Sequence, residues 1–539
     1  MTAQPVSAII PMSSLDNNPE VTPGASTLRV SAKRVIFSGS AIVSLIAAVA
    51  LLLHLYAAHN YGYFPDELYF IACGNHLAWG YVDMPPLIAG MMKLTRVLFG
   101  DSLQSIRFFA ALAGAANILL AGRIARELGG GRFAMGLAAL SVLVASANLS
   151  MTHYMSMNAF EPLFWMGFAL LVIRIIKTGN QKLWLWAGLI AGIGLNNKYS
   201  MAFFCLGVIV GLLLTRERRA FLQPWIWIAA LLALLLILPN LIWNVQYDFP
   251  FLELMANIRR SGTNMAFSQL KFLGIQVIFL LPMTLPIWLS GLCWFLFSKD
   301  GRPYRVLGYT YLVVLAIMFL PNGKPYYLLP VYPMLMAAGA VLLEKCFSRP
   351  RLQWAKPSYV IILVIFGISG IPFSIPVLSP EAYIRYSTMM HFAPPPIERV
   401  RLGPMPHFFA DQFGWEEMTQ VAAKAYDSLP SDERKTTAIL TNNYAEAGAI
   451  DFLGRKYSLP HAISGNQNYY LWGPDGYTGD SVLAMGFSRQ KLESYFSSVE
   501  EAGTVYHPYS APQEHFTVYH CWGLKQPMAE LWPRLKNWD

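Results

Sequence analysis

The feature that most constrains this chain is a series of apolar runs, several reaching the roughly 20 residues a helix needs to cross a bilayer. About eleven are read, over 36–57, 104–122, 133–148, 158–176, 183–196, 199–215, 224–244, 272–297, 306–320, 327–344 and 358–378. In hydrocarbon each backbone N–H and C=O must be satisfied within its own segment, so these runs are expected as helices. The composition agrees. Of 539 residues, 55% are hydrophobic and only 13% charged, and the mean hydropathy is +0.40. Soluble domains carry about 25% charged residues. That contrast excludes an ordinary soluble enzyme and a disordered chain.

The formal charge of +9 does not point to nucleic acid, because the positive residues follow the spans. Lys33 and Arg34 precede the first. Arg123, Arg126 and Arg132 follow the second, and Arg174, Lys177 and Lys182 the fourth. Arg216, Arg218 and Arg219 follow the sixth, and Lys299, Arg302 and Arg305 the eighth. Lys345, Arg349, Arg351 and Lys356 follow the tenth. Every even-numbered loop is basic, which predicts a cytoplasmic N-terminus and a tail outside the membrane. Residues 1–32, polar and rich in Ser, Pro and Asn, read as a disordered cytoplasmic segment. The first span reads as a signal anchor, since no small-residue cleavage site follows it.

Residues 33–379 then form the transmembrane domain, and 380–539 differ in composition, with 13 basic and 18 acidic residues. A strand at 436–441 precedes a helix at 445–454, and a strand at 481–487 precedes a helix at 490–498. That alternation predicts a small extracytoplasmic α/β domain. The expected architecture is a multi-pass α-helical membrane protein of the bacterial inner membrane with this domain on the periplasmic side. Cys73 and Cys521, both expected outside, could pair, but spacing alone does not show proximity.

The first outer loop, about 58–103, is far longer than a connection requires. It contains Tyr63-Phe64-Pro65-Asp66-Glu67-Leu68-Tyr69-Phe70 and Gly80-Tyr81-Val82-Asp83-Met84-Pro85-Pro86-Leu87. Residues 67–78 and 87–99 are expected as interfacial helices, the second with Lys93 and Arg96 on its polar side. Asp66 and Glu67 have two readings: a carboxylate base at the membrane surface, or a helix start, where acids are favoured. Asp83, before the Pro-Pro pair, reads equally as a turn residue.

Other polar residues on the outer side form a short list. Lys198-Tyr199, Arg259, Arg260 and Lys324, the last within Asn322-Gly323-Lys324-Pro325-Tyr326-Tyr327, are cations or their neighbours. Singly, such cations snorkel to lipid phosphates; converging on one face, they suit an anionic ligand such as phosphate. Asn158 and Glu161 share a helix face at the outer end of the fourth span. An acid there is costly, and it serves either function or helix packing. No G-x-x-x-x-G-K-[ST] loop, H-E-x-x-H motif or D-x-D pair occurs. A divalent cation near Asp83 and Glu67 is compatible with the sequence, yet no spacing demands a metal or other cofactor.

Asp66-Glu67 after the first span, Pro85-Pro86-Leu87 in the same loop, Lys198-Tyr199, and Gly323-Lys324 followed by Tyr327 together resemble the GT-C glycosyltransferases. The nearest groups are families 39 and 83, which include protein O-mannosyltransferases and lipid A aminoarabinose and galacturonosyl transferases. The resemblance covers about 36–345. It implies a polyprenyl-phosphate-linked sugar donor and inverting transfer to an acceptor glycan, lipid A or protein. It also implies that Asp66, with Glu67, Asn158 and Glu161 nearby, serves catalysis. Lys198, Tyr199, Arg259, Arg260, Lys324 and Tyr327 would surround the donor phosphate, and Tyr69, Asp83, Pro85 and Pro86 would shape the first loop. Two positions depart from the pattern: Met84 replaces a frequent Lys, and Asn158 a frequent Asp. Three alternatives stay open: an oligosaccharide ligase or polymerase releasing lipid pyrophosphate, a transporter or flippase, and an inactive homologue.

Overall fold

The structure is a computed structural model that describes residues 38–262, 267–320, 323–395, 401 and 403–539. The expectation of disorder over 1–32 lies outside the described residues, as does Asn322. Among the described residues, six helices are long and apolar enough to span a bilayer: Gly39–Ala57, Leu103–Glu127, Met157–Thr178, Pro224–Gln246, Pro325–Phe347 and Pro350–Phe373. Two further apolar helices, Gln269–Phe279 and Pro282–Phe297, form a pair bent by 92°, the geometry of a broken span or a re-entrant loop. At the bend Leu281 has φ 69°, a costly conformation for a branched side chain, and Pro282 has no N–H to continue the ladder.

Of the eleven expected spans, six are thus single helices of spanning length among the described residues, and the bent pair covers one more run. The remaining four runs are helices of 13 to 15 residues: Arg132–Val144, Trp184–Asn197, Met201–Leu213 and Arg305–Phe319. At a rise of about 1.5 Å per residue these reach roughly 20–23 Å, short of the ~30 Å hydrocarbon core. A hydropathy window counts apolar residues and does not see the helix break inside the run.

The bundle packs closely where side chains are small. At Gly291 the Leu285–Phe297 helix lies against the backbone of Leu335 in the Tyr332–Phe347 helix, with no room for a Cβ. One end of the bundle gathers the basic loops. Glu127 binds Arg123 (2.8 Å), Arg174 (3.3 Å) and Lys177 (3.0 Å), and Lys345 binds Asp300 at 2.6 Å. Arg174 and Lys177 close the helix whose opposite end bears Asn158 and Glu161. The first loop and a five-stranded sheet therefore cap the far end.

The sheet comprises β1 (Thr437–Thr441), β2 (Ala462–Ser464), β3 (Ser481–Met485), β4 (Phe496–Val505) and β5 (Phe516–Leu524), in the order β2-β1-β3-β5-β4. β1 runs parallel to β2 and β3, while β5 runs antiparallel to β3 and β4. The helix expected over 490–498 ends at Tyr495, and Phe496 opens β4. Pairing with β5 overrides the local helical pattern there. Cys73 and Cys521 are both buried free thiols.

The first loop forms two helices, Pro65–Asn75 and Leu87–Phe99. The second is amphipathic as expected: Leu94, Val97, Leu98 and Phe99 are exposed, and Arg96 turns to Asp101 and Asn75. The first is enclosed by protein. Glu67 through Gly74 are buried, because the Tyr444–Leu453 helix of the α/β region covers them. The covering contact is made at Gly448, where a Cβ would lie 2.8 Å from the Leu68 backbone.

Candidate active site

Pro65 opens the first-loop helix, a position that needs no N–H, and Asp66 and Glu67 follow in its first turn. The two acids have different fates. Glu67 is fully buried and accepts from the Phe64 N–H (2.9 Å) and the Met155 N–H (3.0 Å). Arg107 grips it with Nε at 3.0 Å and Nη2 at 2.8 Å. The same guanidinium donates to the carbonyls of Ala58 and Gly62. The Glu67 oxygens are thus turned toward donors inside the protein, tying the first loop to the Leu103–Glu127 helix. Asp66 stays half-exposed at the surface of this knot, and Tyr444 donates its phenol to Asp66 Oδ1 at 2.9 Å.

Asp83 lies nearby and accepts from the Tyr69 phenol at 3.1 Å. Burial, then the charge of Asp66, pushes its pKa up to about 7. Burial, then Asp83, holds the Tyr69 phenol well above its usual range. Asn468 fastens this segment from the α/β side: its Oδ1 accepts from the Val82 N–H at 2.7 Å, and its own N–H donates to Tyr69 Oη at 3.4 Å. Pro85 is buried, and Pro86 caps the Leu87–Phe99 helix. Met84 is fully buried in the apolar cluster with Tyr69, Tyr81 and Met155. Its position offers no cation to a ligand.

A second cluster forms where two short helices meet. The Trp184–Asn197 helix ends at an extended Lys198 (φ −160°, ψ 135°), which directs its ammonium to Asn158 Oδ1 (2.7 Å) and Glu161 Oε2 (3.0 Å). Ser200 also donates to Glu161. The Lys198 ammonium sits 4.4 Å from the Tyr327 ring centre and 5.7 Å from that of Tyr326, while Lys324 lies 6.0 Å from Tyr326. Cations over aromatic faces are attracted by the negative face of the ring. A small, mainly apolar cleft of about 20 Å³ is lined by Asn158, Glu161, Leu280, Tyr326, Leu329 and Pro333 among others.

The two clusters are physically joined. The Tyr199 phenol donates to Asn240 Oδ1 at 3.1 Å, and Asn240 Nδ2 donates to the carbonyl of Trp79 in the first loop at 2.9 Å. Met155, bonded to Glu67, lies three residues before Asn158. The fold thus assembles Asp66, Tyr69 and Asp83 on one side and Asn158, Glu161, Lys198, Tyr199, Lys324 and Tyr327 on the other. Arg259 and Arg260 stand apart. They are exposed on the last turn of the Pro250–Ser261 helix, whose apolar residues pack against Val82 and Trp538.

Four contributors escape sequence reasoning: Arg107, Asn240, Tyr444 and Asn468. Arg107 sits one turn into an apolar helix, where a cation without a visible partner is itself a signal. Tyr444 and Asn468 gave none beyond the Asn-rich turns that hold them. Among the described residues, no group of three or more His, Cys, Asp or Glu side chains is arranged to hold a metal ion.

Comparison with known proteins gives a concordant picture. Residues 83–243 match the dolichyl-phosphate-mannose-protein mannosyltransferase family. The lipid A galacturonosyltransferase RgtD of Rhizobium johnstonii is 28% identical over 34% of this chain and 39% of its own length. The lipopolysaccharide core galacturonosyltransferase RgtB of the same organism is 24% identical over 42% of this chain and 46% of its own. The matched stretches thus span less than half of either relative. The crystal structure of ArnT from Cupriavidus metallidurans bound to undecaprenyl phosphate superposes with a TM-score of 0.56 at 14% identity, covering 88% of this chain and 97% of that one. At that identity the likeness shows the fold.

Proposed function

We propose that this chain, a member of the GT-C superfamily of glycosyltransferases, moves a sugar from a polyprenyl-phosphate carrier to a hydroxyl of an envelope glycolipid, with inversion. The observation that carries this reading is that Lys198, set against Asn158, Glu161 and Tyr327, is joined through Tyr199 and Asn240 to the first loop that bears Asp66. In the reaction an acceptor oxygen forms a bond to the anomeric carbon. The bond from that carbon to the phosphate oxygen breaks, and the acceptor proton passes to Asp66. The lipid monophosphate leaves already charged, so it needs neutralising rather than protonation; Lys198 and Lys324 would do this.

Asp66 suits the base better than its neighbours. Glu67 is engaged by Arg107, and Asp83 retains its proton to about pH 7. The names of the two curated relatives favour lipid A or the lipopolysaccharide core as acceptor over a protein. The basic end of the bundle would face the cytoplasm and the sheet the periplasm.

Deletion in the host, followed by mass spectrometry of lipid A, core glycans and periplasmic proteins, tests the reading. Loss of a single sugar increment from lipid A or core is expected. An unchanged envelope, or accumulation of an oligosaccharide on lipid pyrophosphate, would contradict it.

A further inference from the structure

The basic end of the bundle holds a cavity that sugar transfer does not use. The Trp184–Asn197 and Met201–Leu213 helices meet at Lys198–Ser200, beside the candidate site, and both are too short to cross the hydrocarbon core. The length they lack is at the opposite end. There the chain turns at Gly179, in the left-handed conformation (φ 72°), and closes under the bundle through two 3₁₀ segments, Gln181–Leu183 and Arg216–Leu222. Between these segments and the Met157–Thr178 helix lies a cavity of about 310 Å³. Small-ligand sites range over about 300–1,000 Å³.

The walls are of two kinds. Val172, Ile176, Trp184 and Leu212 are apolar, while Glu217 and Arg219 supply one charge of each sign. Glu217 is half-buried and Arg219 exposed, and among the described residues neither forms an ion pair. Burial raises the Glu217 pKa, a cost that a cationic partner would offset. Gln181 and Gln223 add neutral polar groups. Arg216 and Arg218 are exposed on the same segment but do not line the cavity. Near its mouth Trp186, Leu213, Leu214, Leu222 and Trp227 are exposed, as side chains facing the edge of a bilayer are. A bare anion in the cavity would meet Glu217, and a bare cation would meet Arg219. A zwitterion suits both.

We propose that this cavity is a lipid site for the headgroup of a zwitterionic aminophospholipid, with the ammonium at Glu217, the phosphate at Arg219 and the acyl chains on the exposed apolar residues at the mouth. A primary ammonium donates hydrogen bonds to a carboxylate, whereas a quaternary one has no N–H to give. The occupant is therefore phosphatidylethanolamine rather than phosphatidylcholine. Bound there, it fills the thickness that the two short helices leave open.

The full chain, purified in mild detergent, is given an equimolar mixture of phosphatidylethanolamine, phosphatidylcholine and phosphatidylglycerol, and the retained lipids are counted by native mass spectrometry. The parent is expected to hold one phosphatidylethanolamine most tightly. Glu217→Gln and Arg219→Gln should each lower that affinity about tenfold. Glu217→Gln should also let phosphatidylglycerol compete, since no carboxylate then repels an anionic headgroup. Lys356→Gln, at the same end but away from the cavity, should behave as the parent. Arg219 is exposed, so its variant tests the phosphate contact without disturbing packing. Added phosphatidylethanolamine should raise the thermal unfolding midpoint of the parent more than that of Glu217→Gln, because a ligand stabilises the folded state it binds. A parent that prefers phosphatidylcholine or phosphatidylglycerol, or retains none of the three, would overturn the inference. So would parental affinity for phosphatidylethanolamine in either cavity variant.

Discussion

Adjacent residues with nearly identical chemistry are assigned different work by what surrounds them. Asp66 and Glu67 are consecutive, yet one faces a phenol at a half-open surface and the other an enclosed guanidinium. Removing one partner of a buried ion pair leaves the other uncompensated, at a cost of about 3–5 kcal/mol. Glu67→Leu should therefore lower the midpoint of thermal unfolding in detergent sharply, whereas Asp66→Asn should leave it near the parental value. Asp83 makes a pH prediction. Its carboxyl is an acid whose folded pKa, about 7, lies above the ordinary 3.8, so the folded state holds the proton more tightly. The stabilisation is full below about pH 4 and is lost as pH rises toward 7. Scans over that window should show the parent losing stability relative to Asp83→Asn, and equal slopes would contradict the raised pKa. The dipeptide Asp66-Glu67 was legible in the sequence as a pair of acids at a helix start. The division of labour was not, because Arg107 and Tyr444 are distant in sequence.

Short helices position the donor-side cluster. The Trp184–Asn197 and Met201–Leu213 helices meet at Lys198, Tyr199 and Ser200, and this break turns the ammonium toward Asn158 and Glu161. Lys198→Met should reduce transfer by about 100-fold or more through loss of charge at the leaving phosphate, while leaving membrane insertion unchanged. A variant with parental turnover, measured at equal membrane levels, would remove Lys198 from the site. Element boundaries were readable where a single apolar run makes a single helix, as in 36–57 and 224–244. They were misread where a break lies inside apolar sequence, because the break at Leu281 is a matter of backbone conformation and not of hydropathy. The strand at 437–441 was readable from β-branched and apolar residues. β4 was not, since it is set by pairing with β5, with partners as far apart along the chain as Phe496 and Leu524.

On the scale of the whole molecule, the +9 charge resolves into two populations. Within residues 33–379 most basic residues belong to the loops at one end of the bundle, where Glu127 and Asp300 pair with some of them. At the other end Lys198 and Lys324 stand beside the Tyr326-Tyr327 pair. The α/β domain closes over the first-loop helix and reaches Asp66, so the two domains together form the candidate site. The covering of the Pro65–Asn75 helix was invisible to a sequence reading that treated the first loop by itself, which is why that helix reads there as interfacial. If the domain completes the site, Gly448→Val, which forces the covering helix away from Leu68, should lower activity without preventing insertion of the bundle. Parental activity in that variant would mean that the close contact is dispensable.

The most direct measurement is the complementation of a deletion host by Asp66→Asn, read by mass spectrometry of lipid A and core glycans with membrane insertion confirmed. The missing increment should stay missing, with activity at least about 100-fold below the parent. Return of the full increment from a correctly inserted variant would contradict Asp66 as the base and, with it, the central claim about how this site works.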